Sequence, residues 1–258
     1  MKNFGPALRP LLLAVIIVVV WQLATSVFGL PTYLVPEPLK VLKELVNQWP
    51  RLLSESAVTT AAALGGFALA VVIGLLLAVL IVYSKTIESY LYPLLVFSQS
   101  VPKIAVAPLF VVWFGFGIFP KVVSAFLLAV FPVVVSTVTG LKSVEPEMID
   151  LARSSRAGRL RTFWYVLLPH SLPHIFSGMK VAITLAVVGA VVGEFVGANS
   201  GIGYLLQVAN GNFDLPLMFA ALVVLSTIGV LLFAAIDLTE RWMVPWHASQ
   251  RQDYTATA

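Results

Sequence analysis

The chain has no cysteine. Disulfides and thiolate metal sites are excluded from the outset. Charge is nearly as scarce. Asp, Glu, Lys and Arg make up 11% of the 258 residues, where an ordinary soluble domain carries roughly 25%. Lipid, not water, is therefore expected around much of the protein. A phosphate-binding glycine loop of the GxxxxGK[ST] kind is missing. So are a nucleophile elbow and a pair of catalytic carboxylates, and the chain is not expected to hydrolyse ATP or to be an enzyme. With no internal repeat and no low-complexity linker, it reads as one domain over residues 1–250, followed by a loose tail at 251–258. The formal charge of +4 does not point to nucleic acid, because the basic residues lie between apolar runs without interleaved aromatics. His170 and His174 stand at a spacing that can bring two imidazoles to one helix face. Pro169 and Pro173 interrupt that stretch and no acid adjoins it. A polar membrane boundary is the preferred reading over a metal site.

What the chain does have is apolar surface: 59% of its residues are hydrophobic. A helix rises about 1.5 Å per residue, so ~20 apolar residues cross the hydrocarbon layer. Charges are costly there, and the gaps between them locate spans. The gaps predict crossings at about 10–29, 57–83, 89–114, 121–141, 175–197 and 215–237. Pro102 and Lys103 interrupt the third. The expected fold class is an all-α membrane protein with about six transmembrane helices. Lys2 and Arg9 before the first run resemble the charged end of a signal peptide. The run is too long for that, no small-x-small site clearly closes it, and it reads as a retained span. Between the first two spans, EPLKVLKELVNQWPRLLSES repeats Leu39, Leu42, Leu45, Val46 and Trp49 at helical spacing. That pattern predicts a short interfacial helix.

Lys and Arg set orientation. With the N-terminus inside, the inner segments carry Lys2, Arg9, Lys85, Lys142, Arg153, Arg156, Arg159, Arg161, Lys180, Arg241 and Arg251. The outer segments carry Lys40, Lys43, Arg51 and Lys121. The excess predicts that both termini are cytoplasmic.

One segment between spans, residues 142–173, is long and charged. Glu145-Pro146 suits a helix start, with Pro in the first turn and Glu at the positive end of the dipole. Met148, Leu151, Ala152 and Ser155 then share one face. Gly158 permits a turn. A second apolar stripe follows at Leu160, Phe163, Trp164, Leu167 and Leu168, and Pro169 is expected to end it. Two amphipathic helices joined by a turn fit either a basic loop lying on anionic lipid or a docking element for a soluble partner.

The residue order here resembles a known family. Asp150-Leu151-Ala152-Arg153, a turn with glycine, then Leu167-Leu168-Pro169 look like the EAA loop of binding-protein-dependent ABC importer permeases of the type I fold. Asp150 stands where Glu is usual and Leu151 where Ala is usual. Arg156 takes the usual glycine place, with Gly158 two residues later. SVPKIAVAPLFVVWFGFGIFPKV (100–122) and GEFVGANSGIGYLL (193–206) are similar to permeases for aliphatic sulfonates, taurine, nitrate and some pyrimidine precursors. The match runs from about residue 10 to 245. The resemblance implies a coupling helix seated in a groove of an ATPase subunit, with Glu145, Met148, Asp150, Leu151, Ala152, Arg153, Ser155, Arg156 and Gly158 as the coupling residues. It further implies a homodimer in the bacterial inner membrane, two ATPase subunits and an extracytoplasmic solute-binding protein. ATP and Mg would sit on the ATPase subunits, with no cofactor on this chain. A secondary transporter or channel is the rival class. Such folds often show paired broken helices, and only one break, at Pro102, is visible.

Polar groups inside spans are the candidates for a translocation path. Glu194 is the sharpest, with helix packing or an outer gate as the alternative role. Lys103 either attracts an anion or snorkels to an interface. Ser98, Gln99 and Ser100 precede it. Trp113 and Phe114 fit an apolar gate or, for Trp113, a lipid-interface anchor. Gly189 and Gly193 allow a close helix crossing, with the dimer interface as one place for it.

Overall fold

The structure, a computed structural model, describes residues 5–29, 31, 32 and 34–247, with side chains from residue 12 onward. Lys2, Arg251 and the expected tail at 251–258 lie outside the described residues. Among the described residues every regular element is a helix. Four of the described helices are long and apolar enough to cross a membrane. These are α3 (Trp49–Tyr83), α6 (Ile118–Lys142), α9 (Leu168–Phe195) with the turns before it, and α11 (Leu215–Met243). Helices α4 (Lys85–Ser100) and α5 (Lys103–Phe114) pass the same test together, bent by 97°. The first helix, α1 (Gly5–Val27), is apolar over Leu12–Val27. Shorter helices are α2 (Pro38–Asn47), α7 (Pro146–Ser154), α8 (Arg159–Thr162) and α10 (Ile202–Gly211).

Several boundaries differ from the sequence expectation for physical reasons. The interfacial helix was expected to reach Ser56, but α2 stops at Asn47 and Trp49 opens α3. Pro50 sits in the first turn of α3, where a missing N–H leaves nothing unpaired. The apolar face of α2 is also divided: Val41 is buried with Leu45 packed beside it, whereas Leu39, Leu42 and Val46 are exposed. Pro169 does not end a helix. One helical stretch continues from Arg159 to Phe195 through a π-turn at Phe163–Leu167. Proline lacks an N–H and crowds the carbonyl four residues back, and the wider π-turn relieves both.

The centre of the molecule is α6, held between α3 and α9. In lipid no hydrophobic driving force pulls helices together, so association depends on close van der Waals packing. The sequence supplies it with small residues. Ala62, Ala70, Ala125, Ala129, Ala186 and Ala190 are fully buried in this seam. Glycines bring the backbones closer still. A Cβ on Gly66 would lie 2.4 Å from the Ala125 Cβ, and one on Gly189 would lie 2.6 Å from the Ala125 Cα. A Cβ on Gly193 would come within 2.8 Å of the Lys121 Cα. Gly189 and Gly193 thus serve α9 against α6 of the same chain, not the dimer interface.

This packing predicts an ordered response to methyl groups. Gly66→Ala should destabilise by about 1–3 kcal/mol through overpacking. Gly229→Ala, where the added Cβ meets nothing within 4 Å, should be neutral or gain up to ~1 kcal/mol of helix propensity. Thermal unfolding of both variants in one detergent checks the order. Equal stability of Gly66→Ala and the unaltered chain would contradict the seam.

Candidate functional site

Three polar features stand out against this apolar frame. The first is α7. Pro146 follows Glu145 into the helix, Glu147 lies in the first turn and Arg153 in the last, all suited to the helix dipole. The C-terminus is closed by two backbone bonds: the Arg156 N–H donates to the Arg153 carbonyl at 2.9 Å, and the Ala157 N–H to the Ala152 carbonyl at 2.9 Å. This is a Schellman cap, which needs a left-handed residue just past the helix. Arg156 is that residue, at φ 54. It occupies the place where the family resemblance expects glycine, and the backbone keeps the glycine conformation without the glycine. Gly158 is extended, at φ −67, so the turn does not require glycine there.

No residue of α7 is buried. Met148 and Leu151 are 42% and 68% exposed, which leaves the apolar stripe uncovered. With Ala152, Ala157 and Tyr165 they line a shallow groove between α7 and the π-turn. Asp150 and Arg153 pair at 3.3 Å but are more than two-thirds exposed, so the pair contributes little. Ser155 is the helix C-cap. The named coupling residues therefore share one projecting element.

The second feature is a buried polar knot at the start of α10. Glu194 is completely enclosed. The Thr59 hydroxyl donates to its two oxygens at 2.9 and 3.0 Å, and the Gly203 N–H donates to it at 2.7 Å. The Ile202 N–H donates to Thr59 Oγ1 at 2.8 Å, and the Gly201 N–H to Glu55 at 2.5 Å. Two carboxylates and a hydroxyl thereby satisfy the first amides of α10 at the positive end of its dipole. Lys121 is also buried and donates to the Ser200 carbonyl at 2.8 Å and hydroxyl at 3.2 Å. Glu194 joins α3, α9 and α10 here. These bonds to Thr59 and Gly203 are what the packing reading requires. Sequence reasoning missed Glu55, Thr59, Lys121 and Ser200. Their one available signal was the crowding of Glu55 and Lys121 against expected span ends. Gly201 is required by contact: a Cβ there would lie 2.1 Å from Glu194 Oε1.

The third feature lies at the elbow between α4 and α5. Val101 is extended before Pro102, as the proline ring demands. The chain turns, and Lys103 begins α5. Its Nζ donates to Gln99 Oε1 at 2.7 Å. Both side chains border a cavity of about 440 Å³ that is also lined by Leu128, Phe131, Val135 and Ser136 of α6 and Val181 and Leu185 of α9. Ser98 and Ser100 are exposed and do not line it, and the Ser98 hydroxyl donates to the Leu95 carbonyl of its own helix. Trp113 and Phe114 sit at the other end of α5, edge to face with each other, and Phe114 packs on Phe119 with ring centroids 4.9 Å apart. The path candidates are thus brought together only in part: Gln99 with Lys103, and Trp113 with Phe114.

Comparison with known proteins places this geometry in context. Residues 70–245 match the family of binding-protein-dependent transport system inner membrane components. The chain is 38% identical over 251 residues to the formylaminopyrimidine transport permease protein ThiX of Halalkalibacterium halodurans, covering 97% of this chain and all of that one. It is 38% identical to the riboflavin transport system permease protein RibX of Chloroflexus aurantiacus, over 95% of this chain and 92% of that one. Against the taurine transport system permease protein TauC of Escherichia coli the identity is 31%, over 91% and 88%. Among solved structures, the inward-facing MetNI methionine ABC transporter superposes with a TM-score of 0.64 over 76% of this chain and 97% of that one. At 21% identity that likeness speaks to the fold alone.

An uncovered helix between two long spans, a glycine-packed bundle and these matches converge on one class, the type I permeases of ABC importers. The chain belongs to the binding-protein-dependent inner membrane components, as a multi-pass membrane subunit.

The Schellman cap yields a direct test. A non-glycine residue in the left-handed region costs roughly 1 kcal/mol. Arg156→Gly should therefore steady the end of α7 and slow hydrogen exchange of the Arg156 and Ala157 amides about fivefold. Arg156→Val should speed it. Unchanged exchange in both variants would contradict the cap.

Proposed function

We propose that this chain forms the translocation path of an ATP-driven importer as a homodimer, with two ATPase subunits on the α7 side and a solute-binding protein on the α10 side. Six crossings follow, from α1, α3, the bent α4–α5 pair, α6, the α8–α9 stretch and α11. The excess of Lys and Arg on the α7 side supports cytoplasmic termini. In this reading ATP and Mg belong to the partner subunits, and this chain is mechanical, with no catalysis or cofactor of its own. The supporting observation is α7 itself. A helix with no buried residue and a half-exposed Met148–Leu151 stripe is stable at the end of two long spans only as a surface for something else.

Mechanism follows from connection. The α7 helix is tied to α9 through α8 and the π-turn, and Phe163 in that turn packs on Tyr83 at the end of α3 with ring centroids 6.2 Å apart. Lys142 pairs with Glu88, joining the end of α6 to the start of α4. A displacement of α7 therefore reaches α3, α6 and α9 together. ATP closing the partner subunits biases a two-state equilibrium between openings toward either side, to the extent that the partners bind the two states differently.

For the solute, the pyrimidine-type and riboflavin relatives at 38% identity favour a planar nitrogen heterocycle over a sulfonate, the class named for the relatives at 31%. A ligand screen on the partner binding protein decides between them.

Coupling is tested at the exposed stripe. Leu151→Asp should abolish co-purification of the ATPase subunits or uncouple hydrolysis from solute-loaded binding protein by at least tenfold. Normal co-purification with normal stimulation would sink the assignment of α7.

A further inference from the structure

Two lysines that pack between the long helices are already committed. Lys121 is bound to Ser200 in the polar knot. Lys180 lies between Asp237 and Glu240 of α11, 2.5 Å from each, with Arg241 pairing to Asp237 at 2.8 Å. Lys103 differs. Among the described residues no carboxylate lies within ion-pair distance of it, and its one partner is the neutral Gln99 side chain.

Its depth makes this costly. The cavity it borders is lined by Leu128, Phe131 and Val135, near the middle of α6, and by Val181 and Leu185, near the middle of α9. An ammonium held near the middle of two spanning helices without a counter-charge costs several kcal/mol. Such groups persist where a ligand or a water-filled path uses them. The rest of the wall is suited to a ligand. Gln99 holds the lysine in place through its carbonyl, while its amide makes a long bond to the Ser98 hydroxyl at 3.5 Å and keeps a second N–H. Ser136 adds a hydroxyl with no hydrogen-bond partner among the described residues. Aliphatic chains and the Phe131 ring make up the rest of the lining. A few polar groups in a mostly apolar cavity are the usual form of a small-molecule site.

We infer that Lys103, Gln99 and Ser136 form a solute-recognition site inside the permease, built for a small solute with an acceptor group, either a carbonyl or ring nitrogen or an oxyanion, on a flat or aliphatic body. The inference rests on the permease reading and deepens it. Discrimination then occurs in the membrane as well as in the binding protein. A solute lacking an acceptor leaves Lys103 unpaired and is rejected, as sites built for hydrogen bonds reject analogues without them.

The test uses the purified permease with its ATPase subunits in nanodiscs. Two probes are titrated without binding protein, taurine for the oxyanion and formylaminopyrimidine for the neutral acceptor, with bound probe detected by saturation-transfer NMR. The unaltered chain should bind at least one. Lys103→Met should weaken that probe at least tenfold, and Ser136→Ala about threefold. Lys103→Arg should keep the oxyanion if taurine is the ligand and lose the neutral probe if formylaminopyrimidine is. Co-purification of each variant with the ATPase subunits in unchanged yield shows that it folds. Binding of neither probe to the unaltered chain, or equal binding by Lys103→Met, overturns the site. Loss of ATPase co-purification with the unaltered chain overturns the permease reading instead.

Discussion

Everything in this molecule depends on how closely α6 can approach its neighbours. Gly66 of α3 and Gly189 of α9 meet the same residue of α6, Ala125, from two sides. Three backbones at that spacing form one block, because each relies on the same small residues. A protein interior so packed transmits displacement instead of absorbing it. That property suits a subunit moved by an outside motor. The long α3, 35 residues or roughly 50 Å at 1.5 Å per residue, spans the block from the polar knot to the π-turn.

The block is closed at its α10 end by charge. Burying Glu194 and Lys121 is expensive unless every polar atom finds a partner. Here the first amides of α10 take the two carboxylates, Thr59 bridges them, and Ser200 takes the lysine. Opposite charges at one helix start fix α10 against α3, α6 and α9 together. At the α7 end the ties are an aromatic contact, an exposed ion pair and a π-turn, which are individually weaker. A stiff end and a looser, driven end are what a lever needs.

Much of this was legible in the sequence. Charge gaps find the long apolar helices because lipid excludes charge so strongly, and α11 from Leu215 to Met243 contains the expected interval 215–237. The α7 segment was legible because its stripe and its proline start are local. What failed was whatever depended on a distant partner. Arg51 and Glu55 looked like part of a separate interfacial helix, yet both lie in α3, where Glu55 accepts from the Gly201 amide. Pro169 looked like a terminator because a π-turn leaves no residue pattern. Arg156 looked like a lost glycine, whereas the backbone tolerates the strain of φ 54 for two capping bonds. Glu194 carried both a path reading and a packing reading, because its enclosure comes from residues up to 135 positions away.

We propose that α3, α6 and α9 move as one lever, so that motion at α7 is answered in the opposite sense at α10. The absence of cysteine makes this measurable with single spin labels in the assembled transporter, one per copy. Leu151→Cys reports the α7 end, and Phe213→Cys, in the exposed turn after α10, reports the other. On ATP binding the distance between labels at 151 should shorten while that between labels at 213 lengthens. A change at 151 with none at 213, in a transporter that hydrolyses ATP normally, would contradict the lever.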